Sequence, residues 1–505
     1  MNPASNQKRF LCAAAAFTTL YLCVVLLGLP LIFTNFYFNI TETKQALFLI
    51  ASGCYLLLIL LARIAFPPDY GVSKSRVPLH PAALALAALF VVSVIGALMS
   101  QYPDDVFWGQ NNRYQGLLTL CTYALIVLAL SRREIDLRWP MRAFLLAAVL
   151  ASLLGLLNHF GVDLFGFYQH LREADQGRFI STLGNADFYG SYLVLAFPVA
   201  LNAFLHAAGR RDLALAIVAL VCVGFGTLVA GSDSVALGLI VILAVFPLVL
   251  FGDVSAMRRL ALGWGVFFLT AFVFGLLSGF LPSKTYLSFF ATRVGSAVVS
   301  LPLFALSMAL WLLLRRVDAN RLLRMRRNYW ISLVGFIALA VVALVLLNTL
   351  LSNVPLGSLS RYLRFSASWG TDRGQIWAFV LRFYRSLPPL QQLFGASSGA
   401  LFHADSIKPL FSDAALDTAH NEYLQYLVTN GLLGLLCYLA ALVFALREGI
   451  RRGASDSVFR GLSVAVIAYT AQATVNIAQP ASTPLLFVMI GLLICRRATE
   501  NRQVE

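Results

Sequence analysis

Charge is scarce in this 505-residue sequence: Asp, Glu, Lys and Arg together make up 12%, against 59% hydrophobic residues. The middles of its long apolar runs carry essentially none. That pattern excludes a soluble globular chain. It also weighs against a transporter, whose substrate and ion path needs ionisable groups inside its spans. Cysteine is sparse as well. The seven (Cys12, Cys23, Cys54, Cys121, Cys222, Cys437 and Cys495) lie in or beside apolar runs without paired ligand spacing, which argues against a disulfide framework or a zinc site and leaves them as small apolar filler. No tract interleaves basic with aromatic residues, so nucleic acid is not an expected partner. Repeats and low-complexity tracts are missing too. The adjacent carboxylates Asp104 and Asp105 are the one hint of a metal site, and in a loop they read as solvated charge.

What the chain does have is apolar length. A bilayer span needs about 20 predominantly apolar residues, and such runs fall near 11–33, 45–66, 82–99, 116–131, 142–160, 187–206, 213–231, 234–251, 260–281, 294–314, 330–351, 423–446, 459–477 and 481–495. The runs at 116–131 and 481–495 are the shortest. The expected fold is all-α: a polytopic integral membrane protein of 12 to 14 transmembrane helices. The first run reads as a retained helix, lacking a cleavage site and followed by further spans. Most of the 38 lysines and arginines fall in alternate connections, which places both termini on the cytoplasmic side. The formal charge of +15 then anchors the protein to anionic membrane lipids.

Three stretches on the opposite side break the pattern of short connections: "SQYPDDVFWGQNNRYQG" (100–116), "NHFGVDLFGFYQHLREADQGRFISTLGNAD" (158–187) and a segment from about 352 to 422. Long loops inside a compact chain are usually functional. They divide the chain into N-terminal spans over 1–351, a large loop over 352–422, and C-terminal spans with a short tail over 423–505. In the large loop, "RGQIWAFVLRFYRSL" puts Ile376, Trp377, Val380, Leu381, Phe383 and Tyr384 at helical spacing with Arg373, Arg382 and Arg385 between them, as in an amphipathic helix on a membrane surface.

An enzyme at an outer membrane surface has no nucleotide pool, so its substrate must arrive activated, as a lipid-linked diphosphate sugar does. Such a substrate needs arginines for the diphosphate leaving group, a base for the acceptor hydroxyl and apolar surface for the lipid. Arg373 leads as diphosphate ligand, with Arg361 and Arg364 close in sequence and the guanidinium fork suited to phosphate oxygens. In "TAHNEYLQYLVTNGLLG" (418–434), an N-cap at Asp417 or Thr418 puts His420 in the first helical turn, where the helix dipole favours the neutral imidazole that can accept a proton. Tyr423 follows one turn on, while Asn421 and Gln425 share the neighbouring face, ready for sugar hydroxyls. His80, His159, His170, His206 and His403 read as loop or interface residues, His403 marked by lying in the same loop. A polar cap at the water–lipid boundary explains the cluster equally well from physics alone.

The sequence resembles the O-antigen ligase and polymerase family of membrane glycosyltransferases. The resemblance rests on "HNEYLQYLVTNGLLG" with a preceding "DRGQIW", and on "ITETK" (40–44), "NNRYQGLLT" (111–119) and "STLGNADFYGSYLVLAFPVAL" (181–201). It implies a GT-C-like fold with one large periplasmic loop in the bacterial inner membrane, and transfer of a glycan from undecaprenyl diphosphate to a hydroxyl on a lipid or glycan acceptor. That transfer is inverting and uses no metal or cofactor. The resemblance makes His420 the general base or acceptor-orienting residue and Arg373 a diphosphate ligand. Arg113, Arg178, Asn185 and Glu422 join Arg361, Arg364, Asn421, Tyr423 and Gln425 as substrate-binding candidates. One departure stands out. Where the family carries Ser-Arg-Gly after its mid-chain span, this chain reads "LVAGSDSVALGLI" with Asp233 in the arginine's place; an aspartate repels a diphosphate, so either Arg178, Lys284 or Arg293 supplies the second positive charge or this member handles its donor differently. Ligase, repeat-unit polymerase, protein O-oligosaccharyltransferase and lipid-linked glycan flippase remain the alternatives.

Overall fold

The computed structural model describes residues 3–67, 78–103, 105–403, 416 and 418–496, with the side chains of residues 3–5 and 361 excepted. Among the described residues, eleven helices are long and apolar enough to cross a membrane, and three shorter apolar helices accompany them. In chain order, the ones used below are α1 (Asn6–Leu31), α2 (Ile40–Ala65), α3 (Pro81–Leu98), α4 (Leu117–Ser131), α5 (Arg138–His159), α6 (Ala186–Leu205), α7 (Arg210–Val229), α8 (Ser234–Leu250), α9 (Val254–Phe280), α10 (Ala297–Leu314) and α11 (Ala319–Asn348). α12 (Trp369–Ser386) follows in the large loop, then α13 (Glu422–Gly453), α14 (Ser457–Gln472) and α15 (Thr483–Leu493). Each expected span has its helix, and those at 116–131, 234–251 and 481–495 are the three short ones. The chain is an all-α, multi-pass membrane protein. Helices suit hydrocarbon because each satisfies its own backbone hydrogen bonds.

α6 is the axis of the bundle. Its apolar stretch is almost wholly buried, with Tyr189 and Tyr192 fully enclosed, and α5, α7, α8, α9 and α14 pack around it. α10 and α11 sit outside, their apolar faces open to the surroundings. At one end of the bundle α1 ends early. The ammonium of Lys44, fully buried on α2, donates to the carbonyls of Leu29, Pro30 and Ile32 at 2.7, 3.1 and 3.0 Å. Thr182 donates to the Pro30 carbonyl as well. Lysine in "ITETK" therefore replaces the helical partners that the last turn of α1 has lost. Lys44→Met removes the donor and strands those carbonyls. It is expected to destabilise the protein by about 3 kcal/mol, read as a lowered melting temperature in detergent.

A second break shapes the site. α13 is interrupted at Gly431, which takes φ +70°. The interruption frees two carbonyls, and the large loop uses them: the amides of Ala396 and Ser397 donate to Val428 and Thr429 at 2.9 and 3.2 Å. Irregular backbone at membrane depth is tolerated where protein covers it in this way. A Cβ at 431 would press into the Leu393 carbonyl, and one at Gly395 into the Thr429 carbonyl. Gly431→Ala therefore combines a disfavoured φ with a backbone clash. It is expected to cost about 3 kcal/mol or more, seen as loss of monodisperse protein or a large fall in melting temperature.

The helix read from "RGQIWAFVLRFYRSL" is α12, and its apolar face has a different partner from the one expected. Ile376, Phe379, Val380 and Phe383 pack with Leu387, Ala396, Ala400, Leu401, Ala419 and Val428 in a core of their own. The loop thus has a hydrophobic centre fixed to α13, and protein rather than lipid covers that face; Leu381 stays on the surface.

Candidate functional site

The turn that carries His420 differs from the sequence reading. The N-cap of α13 is Asn421, whose Oδ1 accepts from the amides of Tyr423 and Leu424 at 3.0 and 3.1 Å. His420 therefore sits before the helix, with φ +47°, not in its first turn. Of the two residues expected as N-cap, Thr418 lies upstream of the turn and Asp417 falls outside the described residues. The physical reason lies in the left-handed backbone at His420, which turns the chain so that only the next side chain reaches the open amides. Gln425 braces the turn by accepting from the Ala419 amide at 2.9 Å.

The neighbouring residues are tied inward. Glu422 is 1% exposed, and its carboxylate accepts from the Tyr438 and Tyr469 hydroxyls at 2.6 and 3.3 Å. Tyr438 stacks on Tyr426 at 4.2 Å between ring centroids. Tyr423 donates to the Thr470 carbonyl on α14 at 2.6 Å. The polar groups expected to meet a sugar thus mainly build the platform under His420. His420, Asn421, Glu422 and Gln425 line a small pocket of about 40 Å³ together with Arg113 from the 100–116 loop. Arg113 also lies over the Phe188 ring, 5.9 Å from its centroid.

A larger cavity of about 460 Å³ adjoins it. Arg373 enters from α12, Arg178 and Asn185 from the second loop, Asp187 from the first turn of α6, Asp233 from the start of α8, and Tyr362 from the large loop. Residues 475–478 reach both. Val475 lines the larger cavity and Ile477 and Ala478 the smaller, while Asn476 between them donates to Ser191 Oγ at 2.7 Å. Arg373 is 15% exposed. Its Nη1 donates to the Gly370 carbonyl at 2.5 Å and to Thr371 Oγ1 at 3.3 Å, and its buried Nε has no hydrogen-bond partner among the described residues. Gly370, Thr371 and Asp372 all take positive φ. For the two non-glycines that is a strained conformation of the kind held at functional sites, and it aims Arg373 into the cavity.

The other arginines divide. Arg178 shares the cavity with Arg373. Arg364 instead donates to the carbonyls of Leu351 and Val354 at 2.7 and 2.6 Å, securing the chain after α11. Arg361's side chain lies outside the described residues. Of the three cations considered as replacement for a mid-chain arginine, Arg178 alone lines the cavity: Arg293 covers the Phe289 ring at 5.0 Å, and the Lys284 stem lies against Gly161. Asp233 accepts from the Phe290 amide at 3.1 Å and from the Tyr362 hydroxyl at 2.6 Å, so it ties three segments together at the cavity rim. Asn185 caps α6 through the Asp187 amide at 2.8 Å.

Two residues depart from their sequence reading. Asp105, read as solvated, meets His403 Nε2 at 2.7 Å and joins the first loop to the large one; Asp104 lies outside the described residues. His159, read as a loop or interface residue, is fully buried at the end of α5 with Nδ1 2.8 Å from Thr285 Oγ1. Tyr37, from the connection between α1 and α2, and Tyr168, on the second loop, donate to the second-loop carbonyls of Ser181 and Phe179 at 3.0 and 2.8 Å. Burial raises both hydroxyls above the ordinary tyrosine value, keeping them protonated donors. They hold the hairpin of Phe179–Ile180 and Gly184–Asn185 that leads into α6. Asp187, Tyr438 and Gly431 were missed as site-building residues; only Gly431 had a local signal, an isolated glycine inside an apolar helix.

Residues 284–439 match a family model described as O-antigen ligase. That segment is similar to the O-antigen ligase family over less than half of the chain. The matched segment runs from α10 into α13 and includes Arg373, His420, the turn at Asn421 and the break at Gly431. The matched segment supplies part of the lining of both cavities; the first loop with Ile477 and Ala478 completes the smaller, and the second loop, the α7–α8 turn and Val475 the larger. No curated protein matches the chain.

Proposed function

We propose that the protein is a membrane glycosyltransferase. It moves a glycan from an undecaprenyl diphosphate-linked donor to an acceptor hydroxyl at the periplasmic face of the bacterial inner membrane, with both termini cytoplasmic. The observation that carries this reading is the pair of adjoining cavities, one lined by Arg373 and Arg178 and the other by His420, with Arg373 and His420 both on the segment that matches the O-antigen ligase family. The diphosphate lies against the two guanidiniums, and the lipid tail against the spans. The acceptor oxygen attacks the anomeric carbon from the side opposite the diphosphate. The new carbon–oxygen bond forms as the bond to the diphosphate oxygen breaks, the electron pair leaves on that oxygen, and His420 takes the hydroxyl proton. The product is inverted, and the chemistry as written needs no metal or cofactor.

Purified protein is incubated with an undecaprenyl diphosphate-linked oligosaccharide and three acceptors: a lipid-anchored core glycan, a second lipid-linked repeat unit and a serine-containing peptide. Product mass and lipid diphosphate release are followed. Transfer to the lipid anchor identifies a ligase, to the repeat unit a polymerase, and to the peptide a protein O-oligosaccharyltransferase. Movement of intact donor across proteoliposomes without transfer to any acceptor would overturn the reading in favour of a flippase.

A further inference from the structure

The larger cavity contains a carboxylate that the proposed reaction does not use. Asp187 Oδ2 lies 3.9 Å from Arg373 Nη2, with the two side chains 30% and 15% exposed. Neither partner is free to withdraw. Asp187 Oδ1 accepts from Ser232 Oγ at 2.5 Å, and Ser232 is itself 2.8 Å from Ser234 Oγ. Its backbone forms the first turn of buried α6, capped by Asn185. Arg373 is tethered through Nη1 to Gly370 and Thr371, which leaves Nη2 towards Asp187 and a buried Nε without a hydrogen-bond partner among the described residues. Asp233, the other carboxylate in the cavity, is occupied through both oxygens by Phe290 and Tyr362.

We propose that Asp187 is a positioning residue that holds Arg373 while the cavity is empty and then competes with the diphosphate for it, setting how readily the cleaved carrier diphosphate leaves. This rests on the proposed glycosyl transfer. The charge balance explains the direction of the effect. In the donor both phosphates are diesters with one negative charge each. Once the bond between the anomeric carbon and the phosphate oxygen breaks, the terminal phosphate keeps only its anhydride link and gains up to one further charge. A carboxylate fixed beside Arg373 therefore repels the product more than the donor. The same contact that prearranges the guanidinium also drives product release.

The test measures inhibition and direct binding by inorganic pyrophosphate, and product inhibition by undecaprenyl diphosphate, for wild type, Asp187→Asn, Asp187→Glu and Arg373→Ala. Asparagine keeps the oxygen that accepts from Ser232 but removes the charge. Asp187→Asn is expected to bind both probes about tenfold more tightly, and steady-state turnover should fall relative to the single-turnover rate. Asp187→Glu should return both towards wild type. A merely structural role would lower the melting temperature and weaken binding. Unchanged or weaker pyrophosphate binding in a folded Asp187→Asn protein overturns the inference; Asp187→Ala substitutes if asparagine does not fold. If wild type and Arg373→Ala bind pyrophosphate equally, or neither binds it, the assignment of the cavity to the diphosphate fails instead. Arg373-dependent binding with no effect at 187 leaves that assignment standing and removes only this inference.

Discussion

Replacing His420 by asparagine is expected to slow glycan transfer by about 10²- to 10⁴-fold while leaving donor binding and the melting temperature close to wild type. Asparagine is the informative choice because His420 has φ +47°. Asparagine tolerates that backbone region better than alanine does, so the substitution removes the imidazole with little added strain. The capping bonds also come from Asn421 and not from His420, so α13 keeps its start. Loss of transfer accompanied by unfolding would instead assign His420 to the turn.

The second large effect is expected at Arg373. Arg373→Ala should lower turnover by about 10²- to 10³-fold through lost stabilisation of the departing diphosphate. Arg373→Lys should recover little of it, because an ammonium cannot present the planar fork. Lysine also cannot reproduce the division of labour seen in the side chain, with Nη1 tied to Gly370 and Thr371 while Nη2 lies 3.9 Å from Asp187 Oδ2. The measurement is the single-turnover rate from saturating donor. Equal rates in wild type and both variants would remove Arg373 from the reaction.

Much of this architecture was legible in the sequence because it depends on local pattern. Apolar runs of span length located every long helix, and the 3.6-residue spacing of Ile376, Val380 and Phe383 located α12. The family resemblance, and no local pattern, singled out the arginine and histidine elements of the large loop, which line separate cavities. The parts that were not legible depend on backbone turns and contacts distant in sequence. The N-cap fell at Asn421 because His420 adopts a left-handed conformation, which no residue spacing announces. The partner of the α12 apolar face was hidden because it is the loop's own returning segment, docked into the break at Gly431. Asp105 meets His403 across 298 positions, and Asp187 meets Arg373 from a different helix, also far away in sequence. Asp233 looked like a charge of the wrong sign for a diphosphate site, yet its oxygens are taken up by Phe290 and Tyr362, so it acts on the fold around the cavity.

The central claim is that His420 and Arg373, lining separate cavities that residues 475–478 both reach, serve a single reaction. Single-turnover transfer by wild type, His420→Asn, Arg373→Ala and the double variant tests it most directly. Residues that act in one transition state are strongly non-additive, so the account predicts that the double variant transfers glycan about as slowly as the slower single variant. Full transfer by His420→Asn, or losses that simply multiply in the double variant, would contradict it.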